Sequence, residues 1–226
     1  DNYDIFDKKD WSPNEKGFAR MVQRIDETVG KVIDKVKKLG IEEDTLILFT
    51  SDNGPHNEGG HSVTRFDSAA NFQGYKRSLH EGGIRIPFIA WWPDTIVSNQ
   101  VTDYMGYFPD IINTLCDIAD VNKVPYSDGI SFASLLKKEE QQQERHSYLY
   151  FEYNGQVAVI KGKWKYFQDV NGNESLYNLE KDRHEDKNIK NLYNDKFKEL
   201  KSYIEISHKN YDPFSLPKGS QNRYSG

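Results

Sequence analysis

The sequence predicts an α/β fold: part of a sheet flanked by helices, followed by a small α+β subdomain with a four-stranded antiparallel sheet. Three observations predict it. A long helical pattern feeds a short apolar run at residues 45–49, the repeating step of α/β folds. A second apolar run, at 88–92, follows a glycine-rich polar stretch. Beyond residue 146 the pattern changes to four short β-type runs separated by turn signals and closed by one more helix. The expected division is an α/β part over residues 1–140, a small antiparallel subdomain over 141–212, and a loosely ordered tail over 213–226 that is rich in Ser, Gly and Asn.

Composition bounds the function classes. The 226 residues carry 30 basic and 35 acidic side chains, a net charge of −5, which gives no electrostatic reason to expect nucleic acid. Aromatic residues make 13 %, too many for a disordered chain. No apolar run approaches the roughly 18 residues of a membrane span. The single cysteine, Cys116, excludes an internal disulfide framework and a Cys-rich metal site. Residue 1 is Asp and no signal-like apolar stretch follows it, so the expectation is a chain that starts after processing or inside a larger protein.

The first element is the helix. Phe18, Met21, Val22, Ile25, Val29, Val32, Ile33, Val36 and Leu39 recur at three- and four-residue steps and predict one buried stripe. Ser12-Pro13 supplies a cap and a first-turn proline, and Gly40 ends the helix. The run Thr45-Leu-Ile-Leu-Phe49 then reads as a central strand buried on both faces.

Ser51-Asp52-Asn53-Gly54 falls where that strand ends, the place where open α/β sheets gather ligands. Asp52 and Asn53 offer a carboxylate and an amide carbonyl, hard oxygen donors suited to calcium or magnesium, although Asp-Asn-Gly is also an ordinary turn sequence. His56 and His61 follow in a glycine-bearing loop, where each reads as a loop residue or as a metal ligand. Residues 74–87 carry Lys76 and Arg77, which bind an anion or are simply exposed, and lead into Phe88-Ile-Ala-Trp-Trp92, a second buried strand closed by Pro93. Cys116 shares a helical apolar face with Ile111, Ile112 and Leu115, the setting of a buried inert thiol. The polar run after Leu136 reads as a surface connection.

In the last third, residues 147–151, 156–160, 164–167 and 174–177 are strand candidates, with Asn154-Gly155, Gly162-Lys163 and Asn171-Gly172 at the turns. A helix over 195–207 presents Phe197, Leu200, Tyr203 and Ile204 on one side. The Tyr- and Trp-rich strands read as core, with a carbohydrate-binding surface as the alternative.

Taken in order, these segments resemble the type I sulfatases, the formylglycine-dependent arylsulfatases of the alkaline phosphatase superfamily. The likeness is carried by Asp26 to Gly30, Thr45 to Gly54, Gly74 to Pro87, Phe88 to Pro93, Tyr107-Phe-Pro-Asp-Ile-Ile-Asn-Thr-Leu115, Asp128-Gly-Ile-Ser131, Lys163-Trp-Lys165 and Leu176-Tyr-Asn-Leu-Glu-Lys-Asp182. It implies that the sheet is part of an alkaline-phosphatase-like one and that Asp52 and Asn53 are ligands of an active-site calcium, magnesium being the lesser choice. It also implies that Lys76, five residues before the Glu-Gly-Gly triplet, contacts the sulfate. His56 would contact the substrate or protonate the leaving oxygen, or else only shape the pocket. Glu81, Gly82, Gly83 and Arg85 would form a tight turn and an internal ion pair that sets the lysine loop.

One departure matters. The family's formylglycine is made from Cys or Ser in Cys/Ser-x-Pro-x-Arg, and no residue of this chain begins such a motif. The resemblance therefore implies the carboxy-terminal half of a sulfatase, inactive alone, whose partners are the amino-terminal half of the same protein and a sulfated carbohydrate or aryl sulfate. It further implies export to a periplasm or the extracellular space. The alternatives are a phosphoesterase or phosphonate hydrolase of the same superfamily, and a non-catalytic glycan-binding or structural fragment.

Overall fold

Helix ends are fixed locally, and the long helix begins where its cap sequence demands. The structure is a computed structural model that describes residues 4–122, 124, 127–137, 139 and 142–208. A short helix α1 (Asp4–Asp7) precedes α2 (Pro13–Leu39). Ser12 Oγ accepts the Glu15 N–H, and Glu15 Oε2 accepts the Ser12 N–H at 2.9 Å, a capping box that satisfies two otherwise orphaned donors. Gly40 closes the helix at φ 64°, a left-handed conformation that glycine adopts without a Cβ penalty.

The stripe expected to be buried is largely uncovered. Met21, Val22, Ile25, Val32 and Leu39 are all exposed, because among the described residues α2 meets α1, the 3-10 turn Glu58–Gly60 and the loop after that turn chiefly near its amino-terminal end. There Phe18 stacks on His61 at 4.1 Å and meets Phe66. Strands β1 (Ile47–Thr50) and β2 (Phe88–Trp91) pair antiparallel, Ile47 opposite Trp91 and Thr50 opposite Phe88. Neither strand is buried on both faces as expected. β1 is half-buried throughout, and Phe88 and Ile89 are exposed, since each strand has one neighbour only among the described residues.

Helix α4 (Asp110–Ile118) also inverts the expected face. Cys116 is buried, but its buried companions are Asp110, Asn113 and Thr114, while Ile112 and Leu115 are exposed. The cause is hydrogen bonding. Asp110 Oδ1 accepts the Ile130 N–H at 2.8 Å, Thr114 Oγ1 accepts the Phe132 N–H at 2.9 Å, and His146 Nε2 lies 2.8 Å from Asp110 Oδ1. This polar knot holds the loop leading into α5 (Ala133–Leu136). Within the polar run that follows, Gln143 is buried and donates to the Ser131 carbonyl at 2.8 Å, so that residue is structural rather than surface.

The carboxy-terminal sheet runs β3 (Leu149–Tyr153), β4 (Gln156–Lys161), β5 (Trp164–Gln168) and β6 (Glu174–Asn178), each antiparallel to the next. Asn154 and Gly155 both have positive φ, as a two-residue hairpin loop requires. Side chains alternate between faces. Val157, Val159, Tyr166 and Leu176 pack with Leu200 of α6 (Asn194–Ser207). Ala158, Phe167 and Tyr177 point the other way and pack on Leu79, in the loop before α3 (Glu81–Ile84). Tyr166, Phe167 and Tyr177 are core residues, as the sequence suggests. The expected tail over 213–226 lies outside the described residues. No described helix is long and apolar enough to cross a membrane.

Candidate functional site

Two loops carry the predicted site residues, and backbone bonds lace them together. The first leaves β1 at Ser51-Asp52-Asn53-Gly54. Ser51 Oγ donates to the Asn53 carbonyl and Asn53 Nδ2 to the Gly54 carbonyl, each at 2.9 Å, so the loop is tightened from within. Asp52 is exposed and makes no hydrogen bond or ion pair with another described residue. A carboxylate and an amide carbonyl thus stand together at the strand's end.

The second loop, residues 74–87, is fastened to the first at two points. Gly54 N–H donates to the Gly83 carbonyl at 2.8 Å, and Lys76 N–H donates to the Pro55 carbonyl at 2.8 Å. The approach is close enough to require glycine: a Cβ on Gly54 would sit 1.9 Å from the Gly82 carbonyl oxygen, and one on Gly83 2.0 Å from the Ser78 carbonyl oxygen. Asp52, Asn53, His56 and Lys76 are therefore held in one piece of structure.

The side chains have local partners. Lys76 Nζ lies 3.8 Å from Glu58 Oε2, and Arg77 pairs with the other Glu58 oxygen. The Arg77 bond first, then the charges of Arg77, Lys76 and His56, hold the Glu58 carboxyl below its usual range. His56 Nδ1 accepts the Glu58 N–H at 3.1 Å, which leaves its proton on Nε2. The His56 ring meets the edge of buried His61, which contacts the Glu58 carbonyl at 2.9 Å. Arg77 is exposed, as expected.

Beneath the second loop lies a buried charge cluster. Lys165 Nζ is 2.9 Å from Glu81 Oε1 and 2.9 Å from Glu185 Oε1, with all three side chains almost fully buried. Glu81 Oε2 pairs with Arg85, the internal ion pair expected of this block. Glu185 Oε2 accepts the Glu81 N–H, and Glu185 Oε1 is 3.1 Å from His80 Nδ1. Burial alone would raise the Glu185 pKa, but the neighbouring His80 imidazole, the Lys165 charge and the Glu81 N–H outweigh it and hold the group below its ordinary value.

Sequence reasoning gave no role to Glu58, Glu185 or Gln156. The signal for Lys165 was present: a lysine inside Trp164-Lys-Tyr-Phe shares the inward face with Phe167.

Donor chemistry at Asp52 and Asn53 fits a hard cation, with two oxygen donors of the six to eight that calcium takes. Among the described residues no group of three or more His, Cys, Asp or Glu could hold a metal, and two donors by themselves would make only part of a shell.

Comparison with known proteins bears on this geometry. Residues 3–121 match the family model Sulfatase, and residues 72–210 match the model N-sulphoglucosamine sulphohydrolase, C-terminal. The chain is 35 % identical over 156 residues to N-acetylgalactosamine-6-sulfatase of Mus musculus, covering 66 % of this chain and 28 % of that protein. It is 25 % identical over 212 residues to N-acetylgalactosamine-6-O-sulfatase of Bacteroides thetaiotaomicron, covering 82 % of this chain and 40 % of the relative. The crystal structure of the PsFucS1 sulfatase from Pseudoalteromonas sp. superposes with a TM-score of 0.67 at 23 % identity, over 81 % of this chain and 40 % of that one, which supports an alkaline-phosphatase-like fold. This chain thus spans 28 % to 40 % of the lengths of these relatives. The family model Sulfatase covers both laced loops, the Asp-Asn one and the lysine-bearing one, and by that match the chain belongs to the sulfatase family.

Proposed function

We propose that this chain forms the sulfate-binding side of a sulfatase that hydrolyses sulfate esters of carbohydrates. Asp52 and Asn53 hold part of a calcium site, and Lys76 contacts the sulfate. The observation that carries this reading is the pair of backbone bonds, Gly54 to Gly83 and Lys76 to Pro55, which fixes the lysine loop against the metal-type loop. A lysine point charge suits a sulfate oxygen and stabilises the negative charge that grows as the ester bond breaks. Asp52 and Asn53 would hold the calcium, which when bound would supply positive charge to offset the charge growing on the sulfate. With its proton on Nε2, His56 can donate a hydrogen bond to the substrate or to its leaving oxygen.

The formylglycine nucleophile and the other metal ligands belong to a further segment of the same protein, since these 226 residues contain no Cys/Ser-x-Pro-x-Arg motif. The isolated polypeptide therefore turns over no sulfate ester. The relatives named for N-acetylgalactosamine-6-sulfate make that 6-sulfated amino sugar the first substrate to try. We further read the protein as exported.

The test uses the protein expressed from its complete reading frame. It should hydrolyse 4-nitrophenyl sulfate or 6-sulfated N-acetylgalactosamine faster than the matching phosphate ester, and lose that activity on calcium chelation. Lys76→Ala should cut kcat/KM by about 100-fold or more. Full activity in Lys76→Ala, or a preference for phosphate, overturns the reading.

A further inference from the structure

Lys76 is bracketed by two attachments. On its own N–H it is tied to the Pro55 carbonyl, on the metal-type loop. The next residue, Arg77, has φ 75°, a left-handed conformation that side-chain-bearing residues adopt only under constraint. That conformation belongs to a β-turn closed by the Ser78 N–H donating to the Tyr75 carbonyl at 2.9 Å, and the turn is anchored from outside by Gln156, the first residue of β4 and distant by 79 positions in the chain. Its buried amide makes two bonds to the loop: Nε2 donates to the Arg77 carbonyl at 2.9 Å, and Oε1 accepts the Leu79 N–H at 3.1 Å. Only one orientation of the amide satisfies both, because one partner is an acceptor and the other a donor. Ala158 and Phe167, on the same sheet face, pack on Leu79 and hold the loop down on that amide.

From this geometry we infer that Gln156 is a positioning residue for the Lys76 ammonium. The carboxy-terminal sheet, through one side-chain amide, locks the peptide after Arg77 and the Leu79 N–H, and so fixes the turn from which the ammonium reaches. The inference rests on the reading of Lys76 as the sulfate contact. Gln156 itself touches neither sulfate nor metal. Losing its Nε2 donor would leave the Arg77 carbonyl without its partner and loosen the turn that carries Lys76, letting the lysine swing away from its target.

A double-mutant cycle in the protein from the complete reading frame tests this. The readouts are the Kd of inorganic sulfate by calorimetry and kcat and KM on 4-nitrophenyl sulfate. Gln156→Met, which keeps the length and removes both bonds, should weaken sulfate binding and lower kcat/KM by about tenfold. In a Lys76→Ala background the same substitution should change either quantity by less than about twofold, because its route of action is gone. Gln156→Glu retains the Leu79 acceptor and replaces the donor with a carboxylate oxygen that repels the Arg77 carbonyl. It should reproduce most of the effect, and it takes the place of Gln156→Met if that variant fails to fold. An equal effect with and without Lys76, or unchanged sulfate affinity in both Gln156 variants, overturns the inference while leaving the site reading intact. Unchanged sulfate affinity in Lys76→Ala, or no sulfate binding by the unsubstituted protein, overturns the site reading and this inference with it.

Discussion

Glu58 places a carboxylate beside the lysine assigned to sulfate, an arrangement that opposes anion binding. Arg77 offsets that charge by pairing with it and keeps it ionised. Replacing Glu58 by Gln should leave Lys76 more available, and the expected outcome is sulfate binding tightened about threefold, read by calorimetry at low salt where exposed charges are least screened. Weaker binding would mean that Glu58 orients the lysine instead of competing for it. Gly54 makes the opposite kind of demand, steric and not electrostatic. Gly54→Ala drives a Cβ to within 1.9 Å of a backbone oxygen that cannot rotate away, and the expected loss is about 3 kcal/mol in urea unfolding. The proposed calcium-dependent activity should fall with it, because the two loops meet at that contact.

At the scale of elements, α2 and α4 are governed by different forces. α2 depends on its termini, since much of its apolar stripe is exposed among the described residues. Ser12→Ala removes the side-chain half of the capping box and should cost about 1 kcal/mol. α4 depends on buried hydrogen bonds. Asp110 is fully buried and serves the Tyr107 and Ile130 N–H groups and His146 together. Asp110→Ala leaves all three without their partner and should cost about 3 kcal/mol or more, measured by chemical denaturation. This inward polar face is what periodicity could not reveal. Counting apolar residues at helical spacing put Ile112 and Leu115 inside, whereas the backbone donors of residues 130 and 132 drew Asp110 and Thr114 inward.

Across the whole molecule, the charge cluster at Lys165 joins the carboxy-terminal sheet to the lysine-bearing loop. Its pH dependence follows from Glu185. The folded-state pKa lies below the free value of 4.5, so its stabilisation is complete above that value and is lost as pH falls through the lower, folded one. Melting temperature should therefore drop in the acid range below about 4.5, and Glu185→Gln should flatten that drop while costing about 3 kcal/mol near neutrality. The sequence by itself determined the ends of the long helix, the four hairpin strands and the glycine turns, because caps, alternation and turn chemistry act over a few neighbouring residues; for Asp52, Asn53 and Lys76 it offered roles only through resemblance. Tertiary structure alone decided which faces are buried, that Glu58 fronts Lys76, and that Gln156 and Glu185 grip the loop. Those bonds join residues 79 and 104 positions apart, a separation at which local pattern carries no information and only the folded path of the chain sets who meets whom.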